Sequence, residues 1–152
     1  MGGKRQKPRG LFHLSFDFNI IWAAILFVHS ATGMPIPKES PIVEVASAKE
    51  AKIEVIGDEL PGGKWAAYTD YKAPFKIVFK ETPDFKTVNS FCTLTHELTH
   101  WFQYKNDVKP VSPAHYESQA YETQYLCFLA NKDTDGARWA RVQAVKYLLQ
   151  NQ

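Results

Sequence analysis

Short β-strands are predicted in the first half of the chain, where apolar and polar residues alternate. The clearest case is residues 73–80, whose aromatic and aliphatic side chains alternate with lysines. Residues 52–56 alternate in the same way, and residues 64–69 are predicted as a further strand. Residues 34–48 contain three prolines and are predicted to be an irregular lead-in.

Three helices are predicted in the second half of the chain, at about residues 87–104, 113–130 and 136–149. The second begins after Ser112-Pro113, a capping residue followed by a proline in the first turn. In the third, apolar residues recur at helical spacing and are predicted to face the core: Trp139, Val142, Val145 and Leu149. Strands followed by helices predict an α+β domain with a short twisted sheet.

The N-terminal segment has the pattern of an export signal. Four cations within residues 4–9 precede an apolar run of nine residues, 20–28, and small residues follow it. The run is too short to span a bilayer, since a spanning helix needs about 20 apolar residues. We therefore predict residues 1–33 to be a cleaved signal peptide or, as the alternative, an N-terminal anchor attached to the membrane through residues 11–28. A helix buried in the fold is the least favoured interpretation.

Residues 34–152 are then predicted to form one domain that is exported to the periplasm or secreted. Four of the 18 basic residues and one of the 16 acidic residues precede Met34, which leaves the domain with a net charge of −1. Its sequence has no basic stripe with interleaved aromatic residues. Nucleic acid is therefore not expected as a partner.

Candidate chemistry centres on residues 96–100, His-Glu-Leu-Thr-His, in the first of the three predicted helices. His96 and His100 lie one turn apart on one helix face, so their imidazoles can bind a single tetrahedral Zn²⁺. Glu97 lies about 100° round the helix from His96, where it can act as a general base on a water. The opposite face is apolar and is predicted to face the core: Leu94, Leu98 and Trp101.

This motif resembles that of the gluzincin branch of the zincin metallopeptidases. The two histidines and their glutamate are followed in the next predicted helix by Glu117-x-x-Ala120-Tyr121. The resemblance covers about residues 60–130 and is closest to small bacterial and phage proteins regarded as minimal metallopeptidases. It implies that Glu117 is the third zinc ligand. Several gluzincins have an aspartate where Tyr121 stands, which orients a histidine ligand, so another group must take that role here.

Other residues could be the third ligand, or the site could have none. Asp107 follows the first site helix, His115 lies close to the start of the second, and Glu122 is predicted to point away from the face of Glu117. Glu117 itself could simply be a first-turn glutamate that interacts with the helix dipole. Three residues are candidates for stabilising an oxyanion in the transition state: His115, Tyr116 and Tyr121.

The sequence thus predicts a zincin-like metallohydrolase in which His96, His100 and Glu117 hold Zn²⁺ and Glu97 transfers the proton. The peptide or protein substrate is implied by the resemblance. Zincin-like sites commonly hold an extended substrate against an exposed sheet edge, and residues 73–80 are predicted to be that edge. The alternative is that these residues form a central strand without a free edge.

Two other functional classes stay open at this point. One is an exported, non-catalytic zincin-like binding module, although a retained Glu97 argues against it. The other is a membrane-anchored structural protein, which rests on residues 11–28 alone.

The two cysteines, Cys92 and Cys127, fall in the two site helices. If those helices run antiparallel, both cysteines lie at the same end of the pair, and a disulfide becomes geometrically possible in an exported protein. The alternative is two separately buried thiols.

Overall fold

Four helices and four strands form the part of the chain that the computed structural model describes, residues 18–46, 58–60, 64–70, 75–109 and 112–150. In chain order they are α1 (Phe18–Thr32), β1 (Val43–Val45), β2 (Asp58–Leu60), β3 (Lys64–Asp70), β4 (Lys76–Phe79), α2 (Val88–Lys105), α3 (Pro113–Ala130) and α4 (Thr134–Leu149). The predicted α+β class is confirmed. The last three helices begin and end within about two residues of their predicted bounds, the usual uncertainty of helix ends.

The sheet has the strand order β1-β4-β3-β2, so β4 is an interior strand. Val78 of β4 is aligned with Glu44 of the parallel strand β1 and with Tyr68 of the antiparallel strand β3. The prediction that residues 73–80 offer a free edge to a substrate is therefore wrong, and the central-strand alternative is confirmed. The physical reason is β1, whose backbone covers the side of β4 that was expected to be open.

The sequence pattern does not predict β1 or β2. Each has three residues, which is too short for an alternation to be recognised. β1 lies in the proline-containing lead-in, and its register runs from Val43 opposite Ile77 to Val45 opposite Phe79. Pairing with β4, rather than local sequence, therefore makes this segment a strand. The strand predicted at residues 52–56 lies outside the described part of the chain.

Helix α2 is the centre of the described structure. Its predicted apolar face is confirmed, because Leu94 and Leu98 are fully buried in one cluster with Ile77 of the sheet. The polar side is buried as well. Thr95 and Thr99 each donate a hydroxyl hydrogen bond of 2.7 Å to a backbone carbonyl about one turn back. Because these hydroxyls are satisfied within the helix, α2 can be surrounded by protein over most of its length.

Helix α1 contributes to the same core. Ala24, Ile25 and Val28 are buried and pack in one cluster with Leu94 and Leu98 of α2. A helix that belongs to the fold was the interpretation the sequence favoured least, and the structure nevertheless gives α1 an inner face in the core. Within the described residues, no helix combines the length and apolar character needed to cross a membrane. Export of the chain stays a prediction.

Helix α4 packs against α3 through small residues. Its buried positions are Ala137, Ala140 and Ala144. The predicted inward face is wrong: Val142, Val145 and Leu149 are exposed, and Trp139 is only partly buried. Small side chains form this interface because they let the two helix backbones approach closely. Gly136 shows how close the approach is, since a Cβ there would lie 2.5 Å from the ring of Phe128.

Candidate metal centre

The candidate site lies between α2 and α3, and the start of each helix fixes which residues face it. Thr87 caps α2, and its hydroxyl oxygen accepts a hydrogen bond from the backbone N–H of Ser90. Pro113 begins α3, where its missing N–H costs nothing. From these starts, the turn of α2 that carries the motif faces the first turns of α3, where Glu117 lies.

Three potential metal ligands converge there: His96, His100 and Glu117. One ligand atom from each lies within 4.8 Å of the others. The Glu117 carboxylate is 3.8 Å from Nε2 of His96 and 2.5 Å from Nε2 of His100. A tetrahedral zinc ion, with bonds of about 2.1 Å, separates its ligand atoms by about 3.4 Å. The two carboxylate distances lie on either side of this value, so the cluster has the dimensions of a zinc site without its exact spacing.

The other ring nitrogen of each histidine faces an amide oxygen. Nδ1 of His96 lies 2.9 Å from Oε1 of Gln124, and Nδ1 of His100 lies 2.8 Å from Oε1 of Gln103. An amide oxygen only accepts, so each Nδ1 donates. Both Nε2 atoms then face the shared position next to Glu117. This donor set, two imidazole nitrogens and one carboxylate oxygen, fits a catalytic zinc site with one open coordination position.

The electrostatics of the cluster follow from burial and from the close carboxylate. Burial lowers the pKa of His96 and of His100, but the Glu117 carboxylate outweighs burial, and both pKa values lie above 6.5. Burial raises the pKa of Glu117, but the two histidines outweigh it and hold that pKa far below 4.5. The cluster without metal thus favours protonated imidazole beside an ionised carboxylate, and a metal ion must displace those protons.

Glu97 lies in the same turn of α2 and is 1 % exposed. Its Oε1 accepts a hydrogen bond of 3.4 Å from the hydroxyl of Thr69 in β3. This contact joins the sheet to the site and holds one carboxylate oxygen in place. Glu97 is not among the three convergent groups, and its role as a general base stays a prediction.

The rival third ligands lie elsewhere. Both carboxylate oxygens of Glu122 are 2.7 Å from the Arg141 guanidinium, so this side chain points toward α4. Nδ1 of His115 lies 3.2 Å from the Ser112 hydroxyl at the start of α3. Asp107 is exposed in the turn after α2. Glu117 is the acidic residue that the described structure brings to the two histidines.

The tyrosines proposed for oxyanion stabilisation have other contacts. The hydroxyl of Tyr116 donates to the backbone carbonyl of Val108. Tyr121 is 1 % exposed, and its ring packs edge-on against His96 with the ring centroids 4.4 Å apart. Tyr121 therefore supports His96 by packing, while Gln124 supplies the hydrogen-bond acceptor.

A disulfide links α2 and α3 directly beside the site. It joins Cys92 and Cys127, whose Cα atoms are 5.5 Å apart, and both cysteines are fully buried. Cys92 lies one turn before His96, and Cys127 lies about one turn after Gln124. The predicted pairing is present, and it fixes the α2–α3 register at the point where His96 meets Gln124.

Sequence reasoning missed three residues that hold the site groups: Thr69, Gln103 and Gln124. Gln124 had a recognisable signal, because it lies seven residues after Glu117 and so on the same helix face. Thr69 had none, since its position follows from sheet pairing and from the packing of β3 on α2. Searches with this chain against protein-family models, curated proteins and solved structures found no match.

Proposed function

We propose that this chain is a zinc-dependent metallopeptidase of the zincin type. The observation that carries the proposal is the convergence of His96, His100 and Glu117 from two helices, with Glu97 buried beside them. Peptide as the substrate class rests on the motif's resemblance to gluzincins. Zinc is proposed because a donor set of two imidazoles and one carboxylate suits this ion.

The exposure of the cluster supports a catalytic role over a closed structural one. The side chains of His96 and His100 are 0 % and 5 % exposed, whereas that of Glu117 is 27 % exposed. The cluster therefore has a protein-facing side and a side that solvent reaches. A substrate carbonyl and a water would approach from the second side, where the open coordination position of a catalytic site belongs.

Each side chain has a defined task in the proposed hydrolysis. A bound Zn²⁺ supplies Lewis acidity, which polarises the substrate carbonyl and lowers the pKa of a water toward about 7. Glu97 accepts a proton from the attacking water and delivers it to the leaving amine. Thr69, through its hydrogen bond to Oε1, keeps the Glu97 carboxylate oriented for both transfers.

Export is part of the same proposal. A fully buried disulfide between two helices is typical of proteins that fold in an oxidising compartment. The cationic and apolar pattern of the first 33 residues supports export independently. The periplasm or the extracellular space is therefore the proposed location.

The deciding experiment compares the wild-type chain with the Glu97→Gln variant. Both should bind about one zinc ion, measured by metal analysis, because Glu97 is not a proposed ligand. Only the wild type should cleave a mixed peptide library analysed by mass spectrometry, since loss of the general base slows hydrolysis by about 10²- to 10⁴-fold. A wild type that binds zinc but cleaves nothing would instead be a non-catalytic binding module. Equal cleavage by both proteins would remove Glu97 from the mechanism.

A further inference from the structure

Two glutamines lie beside the candidate ligands, one at each histidine. A neutral imidazole carries one N–H, and the hydrogen bond made by one ring nitrogen decides which nitrogen keeps a lone pair. A histidine that binds metal through Nε2 therefore needs an acceptor at Nδ1. Gln124 supplies that acceptor to His96, and Gln103 supplies it to His100.

The orientation of the Gln103 amide is fixed by its own partners. Its Nε2 donates to the backbone carbonyl of Tyr116 at 3.1 Å and to Oε1 of Gln119 at 2.9 Å. Rotating the amide by 180° would place its oxygen against the Tyr116 carbonyl, with no donor between them. The amide oxygen must therefore face His100. Gln103 is 2 % exposed, so water does not readily replace these contacts.

The two amides act from opposite helices. Gln103 belongs to α2 and holds the histidine three residues before it, whereas Gln124 belongs to α3 and reaches across to His96. Gln124 is also 2 % exposed. Each ligand ring is thus held by a buried neutral acceptor at a defined distance. An acceptor of this kind orients a ring without adding a negative charge to a cluster that already contains Glu97 and Glu117.

We infer that Gln103 and Gln124 are positioning residues that keep both histidines in the Nδ1–H tautomer, with their Nε2 atoms aimed at one metal ion. The inference rests on the proposed metal centre and deepens it. Removing either acceptor frees the ring to rotate or to change tautomer, so the affinity for zinc should fall by about 10- to 100-fold.

The variants Gln103→Met and Gln124→Met test this in the full chain, since methionine has a similar length and offers no amide oxygen. Thr123→Val is the matched control, because Thr123 is buried in α3 beside Gln124 and its hydroxyl donates to the backbone carbonyl of Gln119. Zinc affinity is measured by competition with a chelator, and ligand geometry by the visible spectrum of the Co²⁺-substituted protein. Both methionine variants should lose affinity and change the spectrum, and Thr123→Val should do neither.

Gln124→Glu provides the conservative rescue, because a carboxylate oxygen can accept from Nδ1 of His96. Gln124→Glu should bind zinc more tightly than Gln124→Met, and it should restore the Co²⁺ spectrum toward that of the wild type. Folding of every variant is followed by circular dichroism. Methionine variants that fold, bind zinc with wild-type affinity and keep the wild-type spectrum would overturn the inference while leaving the metal centre in place.

A measurement on the wild type needs no variant. Nitrogen NMR of the zinc-loaded chain with ¹⁵N-labelled histidine should show a protonated Nδ1 and a metal-bound Nε2 for both His96 and His100. A protonated Nε2 on either ring would overturn the inference even if zinc binds. A wild-type chain that binds no zinc would overturn the metal centre and the inference together, whereas absence of peptide cleavage would bear on the proposed activity alone.

Discussion

The carboxylate of Glu117 lies 2.5 Å from Nε2 of His100, across the interface between α2 and α3. At this contact the carboxylate favours the protonated imidazole, which donates to it in the metal-free protein. A metal ion bound at this position must replace that proton. The same contact therefore predicts how metal binding and stability depend on pH.

Zinc affinity should fall as the pH is lowered from about 8 to about 6, with protons released on binding. The pKa values of His96 and His100 lie above 6.5, so protons still compete with the metal above that pH. Chelator competition at several pH values measures the effect. A zinc affinity that does not change over this range would contradict the arrangement.

The stability of the metal-free chain should fall as the pH rises above 6.5, whereas zinc affinity rises with pH. Since the histidine pKa values are raised above 6.5 on folding, their contribution is complete below 6.5 and is lost as the pH rises through the folded-state values. Since the Glu117 pKa is lowered, its contribution is present above 4.5 and is lost as the pH falls toward its folded-state value. The cluster thus stabilises most between 4.5 and 6.5.

Thermal melts with a chelator present would detect this window. Glu117→Gln is the control, because it removes the ionised partner of both histidines and should flatten the pH dependence in this range. If the wild type and Glu117→Gln show the same dependence, the short contact does not determine it.

Glu117 and Glu122 lie five residues apart in α3 and should respond differently to substitution. Glu117→Gln weakens a proposed ligand, so zinc affinity should fall by at least about tenfold. Glu122→Gln breaks an exposed contact to Arg141, which is worth at most about 1 kcal/mol, and zinc affinity should not change. Metal analysis after dialysis compares the two. Loss of zinc from Glu122→Gln alone would make the ligand assignment wrong.

The sequence predicts the core of the candidate site well because its spacing is local. Two candidate ligands and the proposed base lie within five residues of one helix, so helical geometry alone fixes their relation. The prediction of Glu117 rested on a resemblance between motifs, because local sequence does not indicate which downstream residue packs against α2. Gln103 and Gln124 were visible as polar residues on the correct faces, but their partners depend on how the helices pack.

In two elements of the fold, local sequence likewise did not predict the tertiary packing. β1 is a strand because β4 lies beside it, and its three residues carry no recognisable pattern. In α4 the larger apolar residues suggested an inner face, but the close contact with α3 selects the alanine face instead. Both errors concern tertiary contacts that outweigh a local preference.

The disulfide should contribute about 4 kcal/mol to the free energy of unfolding, because it closes a loop with a sequence separation of 35. Cys92→Ala/Cys127→Ala should lower the denaturation midpoint by a corresponding amount. It should also weaken zinc binding, since the bridge lies one turn from His96. Guanidinium unfolding measures the first effect. Adding reductant to the unfolding reaction should destabilise the wild type and leave the double variant unchanged, whereas equal loss in both would contradict the assignment.

Val78→Pro should unfold the domain. β4 is paired on both sides, and proline removes an amide hydrogen that one of these ladders needs. Val78→Ala is the matched control, because it shortens the same buried side chain and keeps the N–H, at a cost of about 2 kcal/mol. Circular dichroism and zinc content should both be lost in the proline variant and retained in the alanine variant. A folded proline variant would show that β4 is not held between β1 and β3.

Two substitutions in α1 test whether this helix is part of the folded core or serves only as an export signal. Val28 is fully buried in the core cluster, whereas Leu26 on the same helix is 43 % exposed. In the full chain, Val28→Asp places a charge in the core and should lower the free energy of unfolding by about 3 kcal/mol or more, while Leu26→Asp should change it by less than about 0.5 kcal/mol. Thermal and denaturant unfolding of the two variants give the comparison.

The same pair of variants bears on export. If residues 1–33 are removed during export, the mature protein lacks α1, and its mass will show it. The domain must then be stable without the contacts that Ala24, Ile25 and Val28 make with α2. We expect a chain of residues 34–152 to melt at a lower temperature than the full chain, because this apolar surface of α2 becomes exposed. Equal melting temperatures, together with no difference between Val28→Asp and Leu26→Asp, would mean that α1 is not part of the folded core in solution.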